Sequence, residues 1–133
     1  MGRHEQREQL FKLLFRIEFN TMEEMPQQIQ LFFQDDEIKF TEKTMEAIHK
    51  KYELLQEKLV QIDALINEKA EGWNIERMGK VELTVLRIAV YEILFDEEIP
   101  NTVAINEAVE IAKQYGQETS GGFVNAILAK FMK

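Results

Sequence analysis

The stretch that decides the fold covers residues 79–130 and reads GKVELTVLRIAVYEILFDEEIPNTVAINEAVEIAKQYGQETSGGFVNAILAK. It holds three segments, 81–94, 103–115 and 123–131, in which apolar residues recur at intervals of three and four. Such spacing puts the apolar side chains on one face of an α-helix. Because only short connections separate the segments, the stretch predicts three helices that pack into one helical unit.

The N-terminal residues 3–19 predict a further amphipathic helix. Four aliphatic residues form its apolar stripe, and three phenylalanines lie beside the stripe at intervals of four. The stripe consists of Leu10, Leu13, Leu14 and Ile17, and the aromatic row of Phe11, Phe15 and Phe19. We expect Arg3 and Arg7 to lie on the opposite, solvated side of this helix.

Helix boundary signals divide the central part of the chain. Thr21 followed by Glu24 is typical of a capping box before a short second helix. The helical periodicity of residues 41–71 is longer than a typical globular helix, so we expect a break near residues 53–56. Gly72 is expected to end this region, because glycine adopts the left-handed conformation at a helix C-terminus without steric cost.

Three local signals within the stretch 79–130 predict specific contacts. Arg87 lies between two apolar residues, so we expect a half-buried guanidinium in a structural ion pair with a helix acid. Asn101 or Thr102 should cap the helix that follows Pro100. Gly116 should end that helix in the left-handed conformation.

These signals together predict an all-α fold of about seven helices. The length of 133 residues is that of one domain, so residues 1–133 are treated as a single domain. Within it we expect two packed helical subdomains, an N-terminal one over about residues 1–70 and a C-terminal one over about residues 71–133.

Residues 117–123 lead into the last predicted helix and combine small residues with an aromatic one. Backbone N–H groups at a helix N-terminus can bind a phosphate, and Phe123 is placed to stack on an unpaired base. The alternative is that Thr119 or Ser120 is a plain N-cap and Phe123 a core residue, which the residue types alone favour. For Trp73, the only tryptophan, packing is likewise favoured over base stacking.

The charge distribution argues against strong nucleic-acid binding by this chain alone. The formal net charge is −8, whereas affinity for phosphate comes mainly from lysine and arginine. The formal net charge is +1 over residues 1–20 and zero over residues 101–133, so residues 21–100 carry a net charge of −9. A phosphate-binding surface should therefore use the ends of the chain, and the acidic middle suits a basic partner protein.

Catalytic, metal-binding and cofactor motifs are not found in the sequence. The chain has no cysteine and two histidines, and it lacks a Walker-type phosphate loop, an H-E-x-x-H motif and a nucleophile elbow. No apolar run is long enough to span a membrane, and the cysteine-free composition suits a reducing cytoplasm. We therefore expect a non-catalytic, cytoplasmic binding protein with no cofactor and no metal.

Three blocks of the sequence also carry a family resemblance. LRIAVYEIL (residues 86–94), IPNTVAINEAVEIAKQYG (residues 99–116) and FVNAIL (residues 123–128) resemble the C-terminal half of the NusB family of bacterial transcription antitermination factors. The order and spacing of the blocks match those of the family. The resemblance is strong over residues 72–131 and weak over residues 1–70.

The resemblance implies a function that the residue pattern alone does not give. Members of the NusB family pair with NusE, a small-subunit ribosomal protein that also acts in transcription. The heterodimer binds the single-stranded boxA element of nascent ribosomal RNA, joins other Nus factors on RNA polymerase and suppresses termination. The family also implies that the free protein is either a monomer or a homodimer.

The resemblance further implies which residues act. The family's arginine-rich motif and its C-terminal RNA-contacting loop map onto seven candidate RNA-binding residues, namely Arg3, His4, Arg7, Ser120, Gly121, Gly122 and Phe123. Acidic or polar positions before and within the first helix of the stretch 79–130 are the candidate partner-binding residues, namely Glu76, Arg77 and Glu82. This chain departs from the family in having few basic residues in the arginine-rich motif and in its paired glycines at 121–122.

Two alternative functions belong to other classes. NusB-like domains occur fused to RNA cytosine methyltransferases, so an accessory domain of such an enzyme is one alternative. The chain begins at Met1 and contains no cofactor-binding domain, which we expect of a complete protein and not of a fragment. The other alternative is a helical protein–protein adaptor that does not contact RNA, and salt-dependent RNA binding would distinguish it from the first function.

Overall fold

A computed structural model describes residues 1–35 and 37–132. Within these ranges the chain forms seven α-helices, one 3₁₀ helix and no β-strand. The helices are α1 (Arg3–Phe15), the 3₁₀ helix (Arg16–Glu18), α2 (Met25–Phe33), α3 (Glu42–Glu57), α4 (Leu59–Lys69), α5 (Lys80–Phe95), α6 (Asn101–Tyr115) and α7 (Ser120–Ala129). The predicted all-α fold and the predicted number of helices are confirmed.

The chain divides into two compact units, Met1–Leu54 and Leu55–Lys133. This division falls inside α3, earlier than the subdomain boundary that the sequence predicts near residue 70. The reason is that α4 packs against α5 and therefore belongs with the C-terminal helices. The single-domain organisation over residues 1–133 stays a prediction.

In the first unit, α1 is shorter than the predicted helix, since it ends at Phe15 and continues as the 3₁₀ helix. Its buried apolar face contains residues of both the predicted stripe and the aromatic row, namely Leu10, Phe11, Leu13 and Leu14. Phe19, at the end of the predicted row, is 62% exposed. The Phe19 ring nevertheless contacts Phe15, with centroids 5.2 Å apart, so the aromatic row continues from the core to the surface.

The expectation that Arg7 lies on the solvated side of α1 is wrong, because Arg7 is only 7% exposed. Leu10, Phe11 and Leu14 follow Arg7 at intervals of three, four and seven, which places them on the same helical face. Arg3 is exposed as expected. The buried face of α1 therefore begins one turn earlier than its apolar residues indicate.

The predicted reciprocal hydrogen bonds between Thr21 and Glu24 are present, but they close the turn before α2, and the N-cap of α2 is Glu24 rather than Thr21. The Thr21 N–H donates to Glu24 Oε1 at 2.7 Å, and the Glu24 N–H donates to Thr21 Oγ1 at 3.2 Å. The hydrogen bonds from the backbone and side chain of Thr21 lower the pKa of Glu24. The stabilisation they provide is thus present above the ordinary carboxyl pKa and is lost as the pH falls through the lowered value.

The predicted break in the region 41–71 occurs at Lys58, just after the expected residues 53–56. The N–H of Lys58 donates to the carbonyl oxygen of Leu55 at 3.0 Å, and its own carbonyl accepts from the Ile62 N–H at 2.8 Å. The backbone of Lys58 has φ −100° and ψ 2°, outside the helical minimum. One residue with a tighter turn is therefore enough to separate α3 from α4.

In the second unit, α5 is the most completely buried helix. Every residue from Leu83 to Glu92 is buried, and α5 packs against α4, α6 and α7. A helix that is apolar around most of its circumference is typical of the centre of a helical bundle. The stretch 79–130 therefore forms a packed unit as predicted, with α5 at its centre and α4 as an additional neighbour.

The predicted ion pair of Arg87 is confirmed, and the structure identifies its partner as Asp63 of α4. Arg87 Nε lies 2.8 Å from Asp63 Oδ1, and Arg87 Nη2 lies 2.9 Å from Asp63 Oδ2. Their side chains are 8% and 18% exposed. This bidentate geometry is the strongest arrangement of an arginine–carboxylate pair, and it joins α4 to α5.

Two predictions about the ends of α6 are wrong. The N-cap position is occupied by Pro100, so Asn101 and Thr102 already lie in the first turn and cannot cap the helix. Gly116 has φ −99° and ψ −152°, which is not the left-handed conformation. A Cβ on Gly116 would lie 2.5 Å from Ser120 Oγ and 2.7 Å from the Ala112 carbonyl oxygen, so close approach explains the glycine.

Candidate nucleic-acid interface

The first group of candidate residues lies at the start of α1, in the first unit. Arg3 is exposed and His4 is half-buried, whereas Arg7 is buried. Of these three candidates, only Arg3 and His4 therefore present side chains to solvent. The surface at the start of α1 therefore exposes fewer basic side chains than the motif contains in the sequence.

The second group lies in the second unit, where Ser120–Phe123 form the first turn of α7 and not a loop as predicted. Ser120 and Gly121 are buried, Gly122 is exposed and Phe123 is half-buried. Among the described residues, nothing lies within 4 Å of the position that a Cβ on Gly122 would occupy. The accessible part of this candidate surface is therefore Gly122 with Phe123.

The Ser120 side chain is used within the protein. Its hydroxyl donates to Glu82 Oε1 at 2.5 Å and accepts from the Gln117 N–H at 2.8 Å. The first contact joins the N-terminal turn of α5 to that of α7, and the second holds the connection between α6 and α7. Ser120 thus positions α7, and it is neither a plain N-cap of that helix nor a free hydroxyl.

Two glycines make room for this contact. Besides the clash at Gly116, a Cβ on Gly79 would meet Glu82 Oε2. We call Gly79, Glu82, Gly116 and Ser120 the Glu82–Ser120 junction. The residues of this junction lie far apart in the sequence. The one sequence signal for it is that a glycine precedes the N-terminus of α5 and that of α7 within four residues.

We predict opposite effects for two glycine-to-alanine changes in this region. Gly116→Ala is expected to destabilise the protein by about 1–3 kcal/mol, because the new methyl group meets the Ser120 side chain and the rigid Ala112 carbonyl oxygen. Gly122→Ala is the matched control, since its methyl group enters open space in a helix and should stabilise by about 0.5–1 kcal/mol. Urea unfolding of both variants measures the difference, and equal stabilities would contradict the close approach.

Trp73 and Phe123 form an aromatic pair at the N-terminus of α7. Their ring centroids are 5.6 Å apart and the rings are nearly perpendicular, at 80°. Trp73 is 52% exposed. The packing role that the sequence favours for Trp73 is therefore incomplete: the indole contacts Phe123 but is not a core side chain.

The candidate partner-binding residues differ in their surroundings. Glu76 and Arg77 are exposed and lie in the hydrogen-bonded turns between α4 and α5, where the Arg77 N–H donates to the Asn74 carbonyl at 3.0 Å. Glu82 is half-buried and belongs to the Glu82–Ser120 junction. Glu76 and Arg77 are thus free to face a partner, whereas Glu82 already serves an internal contact.

The ranges 1–35 and 37–132 contain neither a candidate metal-binding cluster nor a candidate membrane-spanning helix. No group of three or more histidine, aspartate or glutamate side chains there could hold a metal ion. No helix in those ranges combines the length and apolar character that crossing a membrane requires.

Comparison with known proteins identifies the family. A family model described as the NusB family matches residues 4–133. The chain is 47% identical over 131 residues to "Transcription antitermination protein NusB" of Agathobacter rectalis, covering 98% of this chain and 99% of that protein. It is 38% identical over 129 residues to the protein of the same name from Listeria monocytogenes, covering 97% and 94%.

Solved structures show the same fold. A structure of T. maritima NusB superposes with a TM-score of 0.87 at 39% identity, covering 98% of this chain and 90% of that one. A structure described as antitermination factors NusB and NusE in complex with dsRNA superposes with a TM-score of 0.81 at 26% identity, covering 98% and 97%. The similarity therefore extends over nearly the whole chain in both sequence and structure.

Proposed function

Because the chain belongs to the NusB family, we propose that it is a transcription antitermination factor that binds RNA together with NusE. The observation that carries this proposal is the 47% identity, over almost the full length, to a protein named for transcription antitermination. The structurally similar NusB in complex with NusE and RNA supports the two partners. The RNA we propose is the single-stranded boxA element of nascent ribosomal transcripts.

The charge of the chain explains why a partner is needed. With a net charge of −8, the protein lacks the density of lysine and arginine that gives phosphate affinity. A basic partner bound to the acidic central part supplies that charge and lengthens the surface along which the RNA lies. The pair then acts on RNA polymerase with other Nus factors, in the cytoplasm and without catalysing a reaction.

On the RNA side, the exposed candidates are Arg3 and His4 in the first unit and Gly122 and Phe123 in the second. Arg3 is suited to a phosphate, because an exposed guanidinium forms bidentate hydrogen bonds with phosphate oxygens. Phe123 is suited to an unpaired base, because every base has a π-face and stacking tolerates different sequences. Arg7, Ser120 and Gly121, which are buried, contribute by shaping these surfaces.

On the partner side, Glu76 and Arg77 are the candidates that remain exposed. Their turn lies directly before α5, so a partner surface docked there also approaches Glu82 in the first turn of that helix. A charge reversal, Glu76→Lys, is expected to weaken the heterodimer by repulsion from a basic partner, mainly through slower association. Isothermal titration with NusE measures this, and unchanged affinity at low salt would remove Glu76 from the interface.

Replacing Phe123 by alanine tests the RNA side of the proposal. Loss of one stacked base should weaken boxA binding by about 1–3 kcal/mol, while the affinity for NusE stays the same. Fluorescence anisotropy of labelled boxA RNA, titrated with the preformed heterodimer, measures the first quantity. Phe95→Ala is the matched control, since Phe95 is also half-buried and its ring contacts Lys58 and Tyr91 at the end of α5. Equal RNA affinities of wild type and Phe123→Ala would refute base stacking.

A further inference from the structure

We infer that Trp73 is a base-binding residue, which together with Phe123 forms one aromatic surface for a single-stranded RNA segment. The inference rests on the proposed function and adds to it a residue that lies outside α7. It places two adjacent rings, and not one, at the end of the RNA-binding surface in the second unit. Three observations about Trp73 support it.

The first observation is the geometry of the pair. The two rings meet edge to face, with centroids 5.6 Å apart at 80°, so neither lies flat on the other. Trp73 is also 52% exposed, so a large part of the indole is open to solvent beside Phe123. An aromatic face of this size, left in water next to a second ring, is what base stacking requires.

The second observation is that the indole is held by an ordered turn. Gly72 has φ +82°, a conformation that glycine adopts without strain, and the Trp73 N–H donates to the Ala70 carbonyl at 3.0 Å. The Ile75 N–H donates to Asn67 Oδ1 of α4 at 2.8 Å. Because the backbone on both sides of Trp73 is held by hydrogen bonds, stacking of a base on the indole costs little entropy for ordering the protein.

The third observation concerns what surrounds the pair and favours RNA over a protein side chain as the occupant. Space beside Gly122 is open, so a ribose can approach the backbone next to Phe123. The Lys113 side chain lies against Gly121 and is exposed. The N-terminal amides of α7 also carry a positive partial charge. An aromatic face flanked by these positive groups matches a base with its phosphate.

Trp73 is the only tryptophan, so its intrinsic fluorescence reports this site alone in the free protein. A single-stranded boxA RNA is titrated into the heterodimer while binding is followed independently by anisotropy of a label on the RNA. The Trp73→Phe variant supplies the fluorescence background from NusE. We expect stacking to quench Trp73 emission in step with binding. Trp73→Ala should weaken RNA affinity roughly 5-fold to 150-fold, whereas Trp73→Phe should retain most of the affinity.

A matched control separates a local effect from a loss of folding. Val60 is 86% exposed on α4, so Val60→Ala should leave RNA affinity unchanged, and thermal melting should show all three variants folded. RNA binding without quenching, or with unchanged affinity of Trp73→Ala, would overturn the inference and leave the proposed function standing. A change in Trp73 emission on adding NusE alone, with weaker heterodimer formation by Trp73→Ala, would assign the ring to the protein partner instead. Absence of any RNA binding by the wild-type heterodimer would overturn the proposed function as well.

Discussion

Asp63→Ala is expected to destabilise the second unit by about 3–5 kcal/mol, because it removes the carboxylate that forms a bidentate ion pair with the buried Arg87 guanidinium. The two side chains meet through two hydrogen bonds of 2.8 and 2.9 Å, and little water reaches either of them. Urea unfolding followed by circular dichroism measures the loss. Since folded proteins are stable by only about 5–15 kcal/mol, the variant should unfold at much lower denaturant.

Two further variants show whether the loss comes from breaking the charge pair. Removing both charges, in Asp63→Leu with Arg87→Met, is expected to recover most of the stability, because apolar side chains of similar volume fill the site without a desolvation cost. Glu53→Ala removes the exposed i,i+4 partner of His49 and should cost under about 1 kcal/mol. A loss for Asp63→Ala as small as that of Glu53→Ala would show that Arg87 is not dependent on Asp63.

Glu82→Ala is the second change with a large expected effect. Ser120 is 2% exposed, and its hydroxyl would lose the carboxylate to which it donates a hydrogen bond of 2.5 Å. A buried donor without an acceptor costs about 1–3 kcal/mol, and the start of α7 would no longer be tied to α5. Both stability and RNA affinity should therefore decrease, and urea unfolding with RNA anisotropy measures the two effects.

Glu82→Gln separates the two roles that Glu82 can have. Its amide oxygen still accepts from Ser120 but carries no charge, so a role within the Glu82–Ser120 junction predicts near-normal stability, RNA affinity and NusE affinity. A direct electrostatic role toward the partner, as the family resemblance implies, predicts normal stability with weaker NusE binding. Normal NusE binding by Glu82→Gln would restrict the partner-binding residues to the exposed Glu76 and Arg77.

The parts of the fold that the sequence predicts well are those set by local physics. Helical periodicity, the reciprocal contacts of Thr21 with Glu24 and the end of the helical region before Gly72 each depend on residues within one or two turns. The burial of Arg87 was also predictable, because its neighbours in the sequence are apolar. Its partner Asp63, 24 positions earlier, was not, since many acids lie within reach of a folded helix.

The parts that were not predictable depend on contacts between distant segments. Gly116 is a glycine because Ser120 approaches it, and not because of a left-handed backbone. The burial of Arg7, by contrast, follows from its helical spacing to Leu10, Phe11 and Leu14 and was missed because its side chain is charged. The candidate interface was predicted only in outline, since residue types could not tell that Ser120 is bound to Glu82 or that Trp73 is exposed beside Phe123.

The most direct test of the proposed function is a titration of labelled boxA RNA with this protein alone, with NusE alone and with both, at about 50 mM and about 200 mM salt. We expect tight and sequence-selective binding only when both proteins are present, with a clear loss of affinity at the higher salt. Selective binding that requires both proteins would place the RNA on the heterodimer. Equal binding to a scrambled RNA, or no gain from combining the two proteins, would contradict the account, and the absence of RNA binding in every mixture that contains this protein would favour an adaptor that does not contact RNA.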